Sequence, residues 1–216
     1  MSLTLPEELL LLMLDDSSGR LIESAMPASD YALAGGLLAE LALAGRIDSD
    51  PQRLYVTNPS PTGDAMLDAA LAKLRDGTAP MTTRGWIELL AEDADTLRET
   101  LFARLVKAGV LRQVDSRFLW VFADRRYPPV SGREEREVKA RLLGVLFNDD
   151  IPEPRDSLLI GLARAANLFS LILAEEELAR AQPRINQVAN LEEINRSLSV
   201  AVQEILTQVA RYAFLA

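Results

Sequence analysis

The residues of this 216-residue chain that could do chemistry are carboxylates, hydroxyls, lysines and arginines, because it contains neither histidine nor cysteine. Without histidine the usual general acid and base near neutral pH is missing, and so is the commonest transition-metal ligand. Zinc sites, thiol nucleophiles and Ser-His-Asp arrangements fall by the same arithmetic. What remains is carboxylate, lysine or tyrosine chemistry, or a carboxylate-bound Mg²⁺. Asp64 and Asp68, four residues apart, share one helix face as a paired-carboxylate mechanism requires, but a solvated helix surface has the same spacing. Asp149-Asp150, just ahead of Pro152 and Pro154, reads as a turn and helix cap. Gly35-Gly36 lies in neither the Walker nor the dinucleotide glycine pattern, so it is not a phosphate loop. These residues point away from an enzyme and imply no cofactor and no metal.

The arginines are more informative. The chain carries a formal net charge of −9, yet the window from Arg98 to Arg133 holds eight basic residues (Arg98, Arg104, Lys107, Arg112, Arg117, Arg125, Arg126, Arg133) against Glu99, Asp115 and Asp124. That segment is +5 and the remainder −14. A basic stretch ending in Arg125-Arg126-Tyr127-Pro128-Pro129 could face an anionic surface while the rest stays in solution. Ordinary solvated arginine explains it equally well.

The elements that must position these residues are helices with clear punctuation. Apolar residues make up 49%, enough to build a packed core and too many for disorder. Thr4-Leu5-Pro6-Glu7 is a capping box with proline in the first turn, opening a helix to about Leu14. Asp30 is placed to cap a second helix that stops at Gly45, and Pro61 to open a third with Gly77 beyond its end. Trp86 to Leu90 belongs to a fourth, with Trp86 in its core face, and Asp95 to Ala108 is a fifth closed by Gly109. Ser131-Gly132-Arg133-Glu134 reads as another capping box, starting a helix to about Phe147. The C-terminal third adds two or three more helices, the last from about Leu191 to Phe214. The Gly35-Gly36 pair inside helix two costs about 1 kcal/mol per glycine relative to alanine, which close approach of another helix backbone would explain.

The longest apolar runs, Leu9–Leu14 and Tyr31–Ala39, fall far short of the roughly 20 residues needed to span a bilayer. Thr4, Pro6, Glu7 and Glu8 arrive too early for a signal peptide. The expected compartment is the cytoplasm.

One pattern occurs twice. Ala44-Gly45-Arg46-Ile47 leads to Leu54-Tyr55-Val56, and Ala108-Gly109-Val110-Leu111 leads to Phe118-Leu119-Trp120-Val121-Phe122. Each reads as a helix, a C-terminal glycine and a β-hairpin, near 46–56 and 110–122. The fold class is therefore mainly α, one domain over residues 1–216. A helix entering a hairpin also ends winged-helix DNA-binding modules. Charge argues against that reading: the net charge of −9 opposes a polyanion, and helix two has no Lys or Arg between Asp30 and Gly45, although the objection is weaker for helix five, which has Arg98, Arg104 and Lys107.

The order of several strings resembles the Golgi phosphoprotein 3 family. The run Leu3-Thr4-Leu5-Pro6-Glu7-Glu8-Leu9-Leu10-Leu11-Leu12 is similar to the family's opening. Gly35-Gly36, Glu40-Leu41-Ala42 and Gly45-Arg46-Ile47 follow in order. Ser60-Pro61-Thr62-Gly63-Asp64 with Leu67-Asp68 comes next, then Trp86-Ile87-Glu88-Leu89-Leu90 and Leu105 to Leu111. These motifs cover residues 3–130.

The resemblance implies a helical fold around a central bundle and a non-enzymatic role. Eukaryotic members of the family are peripheral Golgi proteins that bind phosphatidylinositol 4-phosphate and the cytoplasmic tails of glycosyltransferases. Their lipid pocket uses a tryptophan, an arginine before the double glycine, and two helical arginines. Those positions fall on Ala25, Ala34, Asp95 and Arg98, so Arg98 alone matches. With 20 Arg to 3 Lys, abundant Ala and Leu and no basic N-terminal arm, the chain reads as a bacterial member. The expectation is a peripheral adaptor, cytoplasmic or on the inner face of the membrane, that engages anionic lipid head groups through segment 98–133. Arg98, Arg125 and Arg126 are its head-group residues. The alternative is a soluble protein-interaction scaffold that has lost the lipid site. Nucleic acid is not an expected partner, and an oligomer remains open.

Overall fold

The computed structural model describes residues 3–77, 81–118, 122–148, 150–191 and 193–213. Helix α1 (Leu5–Leu12) is followed by a short 3₁₀ turn and then α2 (Met26–Leu43). Hairpin β1 (Ile47–Ser49) and β2 (Leu54–Val56) precedes α3 (Ala65–Asp76), α4 (Thr83–Ala91) and α5 (Ala94–Lys107). A second hairpin, β3 (Val114–Phe118) and β4 (Phe122–Arg126), comes next. The chain ends in α6 (Arg133–Phe147), α7 (Pro154–Ala165), α8 (Phe169–Ile172), α9 (Glu175–Val188) and α10 (Glu193–Ala213). The architecture is mainly α with two small antiparallel hairpins, as the sequence implies.

Helix α2 is the hub because it is apolar on nearly every face from Ala32 to Ala39, which suits a helix surrounded by others. It packs against α1, α3, α4, α5, α7 and α10. Its double glycine is what lets α1 and α7 come close. A Cβ on Gly36 would sit 3.2 Å from the Pro6 backbone of α1, so the inferred backbone approach is real at that position. A Cβ on Gly35 would meet only side chains, Leu162 Cδ2 at 2.8 Å and Val202 Cγ2 at 3.4 Å. Trp86 and Ile87 of α4 and Leu101 and Leu105 of α5 complete a core that reaches Leu198 and Val202 of α10.

The twice-repeated helix-to-hairpin passage has one cause. Gly45 and Gly109 take φ of +65° and +74°, where a side chain is strained. At each, the next amide reaches back to a carbonyl five residues earlier: Arg46 N–H to Leu41 at 2.9 Å, Val110 N–H to Leu105 at 3.0 Å. This Schellman closure ends the helix and turns the chain out into a strand.

Four sequence expectations shift. Helix α2 begins at Met26, with proline in its first turn, rather than at Asp30, since proline's fixed φ suits a first turn. Asp30 sits one turn inside, and its carboxylate serves another purpose. Pro61 precedes α3, but the cap is Asp64, which accepts from the Met66 and Leu67 amides at 2.9 and 3.3 Å. The Ser131–Glu134 capping box does not form. Gly132 takes a left-handed φ of +64° ahead of α6, and the Ser131 hydroxyl reaches only the Arg133 amide, at 3.3 Å.

The second hairpin's ladder runs over 114–126, a few residues beyond 110–122. Its two chains already run antiparallel below the ladder, with Arg112 N–H to Pro128 at 3.0 Å and Val130 N–H to Val110 at 2.9 Å. Pro128 and Pro129 have no N–H to donate, so regular pairing stops above them. The expected Leu119-Trp120-Val121, Asp149 and Phe214 lie outside the described residues.

Candidate functional site

The residues expected to meet an anionic surface all lie on α5 or on the hairpin that follows it. The hairpin's base is fixed against α5 by the Tyr127 ring, which stacks on Phe102 with centroids 3.9 Å apart and planes 11° from parallel. The Tyr127 amide donates to the Gly19 carbonyl at 2.8 Å, so the loop after α1 holds the same point from the other side.

Arg125, on β4, is exposed and lies 4.0 Å from Glu99 of α5, a separation and exposure at which the pair contributes little. Arg126 beside it is half-buried. Arg112, also exposed, reaches the same place from the other chain, because its amide bonds Pro128. The hairpin base thus brings Arg112 alongside Arg125-Arg126, which sequence separation alone did not reveal.

Arg98 is different. Its side chain is only 17% exposed, and its terminal nitrogens are occupied. Nη1 donates to Asp30 Oδ1 at 2.5 Å and to the Ser29 hydroxyl at 3.3 Å. Nη2 donates to Asp95, three residues earlier on α5. An i, i+3 acid was legible in the sequence. Asp30, 68 positions away, was not.

Two more arginines of the basic window, Arg104 and Arg133, are paired as well. Arg104 donates through Nε to Glu7 at 2.8 Å and pairs through Nη1 with Asp64 at 2.7 Å. Burial alone would lower the Arg104 guanidinium, but these two carboxylates outweigh it and raise it above its ordinary value. Arg133 pairs with Glu137 at 2.7 Å. Five carboxylates from outside the window (Asp30, Asp95, Glu7, Asp64, Glu137) match its formal +5. Less positive charge is therefore left over for a ligand than the composition implies.

The carboxylate pair has structural work. Asp64 caps α3 and pairs with Arg104, while Asp68 accepts from the Thr62 amide at 2.6 Å and hydroxyl at 2.7 Å. Those bonds, the amide first, hold the Asp68 carboxyl below the usual range. Both carboxylates are engaged within the fold. Asp150 likewise serves the fold, its carbonyl accepting from Arg184 at 3.0 Å. Trp86 is buried in the core. Among the described residues no three acidic side chains are placed to hold a metal ion. No helix among them is long and apolar enough to cross a membrane.

Beside Arg98, a cavity of about 330 Å³ opens between α2, α4 and α10. Asp30, Glu88 and Glu92 line it together with Arg84, and Arg84 already donates to Glu88 at 2.9 Å. Its charged lining is net acidic. Asp30 borders this space, whereas Arg98 does not.

The family model described as Golgi phosphoprotein 3 (GPP34) matches residues 5–209. The chain is also similar to a protein of Eremothecium gossypii named vacuolar protein sorting-associated protein 74. The two are 30% identical over 248 residues, covering 99% of this chain and 70% of the relative.

Proposed function

The chain belongs to the Golgi phosphoprotein 3 family, and from that premise we propose that it is a non-enzymatic peripheral adaptor that docks on anionic lipid through the hairpin base. The observation that carries this reading is the convergence of Arg112, Arg125 and Arg126 at one end of β3–β4, held there by the Tyr127–Phe102 stack. A cluster of cations in which Arg112 and Arg125 are exposed and Arg126 is half-buried meets a negatively charged leaflet with roughly 1 kcal/mol per arginine near the surface. The whole of 1–216 acts as one unit in this reading, on the cytoplasmic side of a membrane, with protein partners bound elsewhere on the surface.

Liposome flotation tests it. Vesicles containing phosphatidylglycerol should carry the protein at low salt and release it as ionic strength rises, while phosphatidylcholine vesicles should not carry it. The soluble scaffold is the second reading, favoured by the pairing of Arg98 with Asp30 and Asp95. Absence of flotation on any anionic vesicle at low salt would leave the scaffold reading in place.

A further inference from the structure

Arg98 and the hairpin cations differ in how they can meet an anion. Arg125 stands in solvent with one distant carboxylate. Arg98 is mostly covered, and its two terminal nitrogens already face carboxylates from two different helices. A guanidinium that binds a phosphate monoester well does so through paired, charge-assisted hydrogen bonds, and three of the five N–H groups of Arg98 are already given to Asp30, Ser29 and Asp95. Arg98 with Asp30 and Asp95 sums to −1, and the cavity beside it adds Glu88 and Glu92 against Arg84 alone. A phosphate approaching from that side meets net negative charge before it meets Arg98.

We propose that Asp30 and Asp95 set head-group specificity in this chain: by occupying Arg98 they close it to phosphate monoesters, and membrane contact then follows total negative charge at the hairpin base. The inference rests on the lipid-docking reading, but it concerns a separate set of residues. Asp30 is the more decisive of the two, because it is partly buried and borders the cavity. The Asp95 side chain is 93% exposed and can swing away.

The test compares wild type, Asp95→Asn and Asp30→Asn/Asp95→Asn by flotation on two vesicles in a phosphatidylcholine background. One contains phosphatidylglycerol, a diester, and the other phosphatidic acid, a monoester, with zeta potentials matched. Asparagine keeps an acceptor oxygen for Arg98 while removing the charge. Wild type is expected to float on both to within about twofold. The double variant should gain about tenfold on the monoester over the diester, the size expected for one well-formed charged contact. Adding Arg98→Gln to the double variant should abolish that gain. An equal gain on both vesicles, no gain, or a gain that survives Arg98→Gln would overturn the proposal. If wild type floats on neither vesicle while the double variant gains on the monoester, the specificity inference stands and the docking reading of the native chain falls. Should the double variant melt early, Asp95→Asn alone carries the comparison, with a smaller selective gain expected and the same outcomes against it.

Discussion

Arg141 of α6 clasps both carboxylate oxygens of Glu8 in α1, with donor distances of 3.1 and 3.2 Å, across 133 positions of sequence. Glu8 is almost fully buried, and Arg155 of α7 approaches the same carboxylate at 3.5 Å while donating to Glu40 of α2 at 3.2 and 3.3 Å and to the Leu3 carbonyl. Arg141 also donates to Asp156 at 2.9 Å. One short apolar helix is thus tied by Glu8 to α6 and α7, through Glu7 and Arg104 to α5, and by the Leu5 amide to Glu40 of α2. Removing one partner from a buried pair leaves an uncompensated charge. Glu8→Ala is expected to lower the unfolding free energy by about 3 kcal/mol in urea titrations, since Arg141 and Arg155 then face each other without it. Glu137→Ala, which breaks only the exposed pair with Arg133, should change it by less than about 1 kcal/mol. Equal effects would show that the Glu8 knot adds nothing beyond surface pairing.

The two adjacent glycines of α2 should respond differently to alanine. Gly36→Ala pushes a methyl against the α1 backbone at Pro6, which can yield only by moving a helix. Gly35→Ala presses chiefly on the end of the Leu162 side chain. Alanine gains about 1 kcal/mol of helix propensity at each site, against an overpacking cost of about 1–3 kcal/mol. Gly35→Ala is expected to be near neutral and Gly36→Ala to be destabilising by roughly 1–2 kcal/mol. Thermal melts of the two variants decide it, and the reverse order would mean that α1 does not set the spacing.

Replacing Arg125 and Arg126 together by alanine should weaken flotation on phosphatidylglycerol vesicles by one to two powers of ten, at about 1 kcal/mol per arginine. The effect should shrink with salt, because the Debye length falls from about 30 Å at 0.01 M to about 8 Å at physiological ionic strength. A loss independent of salt would point to a packing role for these arginines instead.

Glu135 of α6 is buried, and burial foremost, then the facing Asp16 carboxyl, raises it above its usual range despite the Lys139 ammonium beside it. The folded protein therefore holds this proton more tightly than the unfolded chain does. That contribution to stability is fully present below the unfolded value near 4.5 and is lost as pH rises through the higher folded value. Glu135→Gln, which cannot titrate, should not show this loss. The difference in urea midpoint between wild type and variant should move in the variant's favour as pH climbs from about 4.5. A difference that is flat in pH would refute the assignment.

The helices were legible where their cause is local. Gly45 and Gly109 each close a helix through bonds reaching back five residues, and both hairpins follow from that closure. The Gly35-Gly36 pair signals close helix packing on α2, and the ordered strings from Leu3 to Leu111 carry the family. Starts were less legible: Asp30, Pro61 and Ser131 all look like helix openers, yet Met26, Asp64 and Gly132 hold those places.

What the sequence by itself determined was the mainly helical class, the two hairpins and the family. Only the tertiary structure decided which charges are available to a ligand. The sequence offers Arg98 and Arg125 alike as head-group residues, but one is bound to Asp30 across 68 positions and the other stands in solvent. Arg104 finds Glu7 across 97 positions and Arg141 finds Glu8 across 133. Helix periodicity and glycine caps act over a few residues and are written along the chain. Hydrogen bonds and ion pairs depend on distance through space, which α2 sets by gathering six helices around itself.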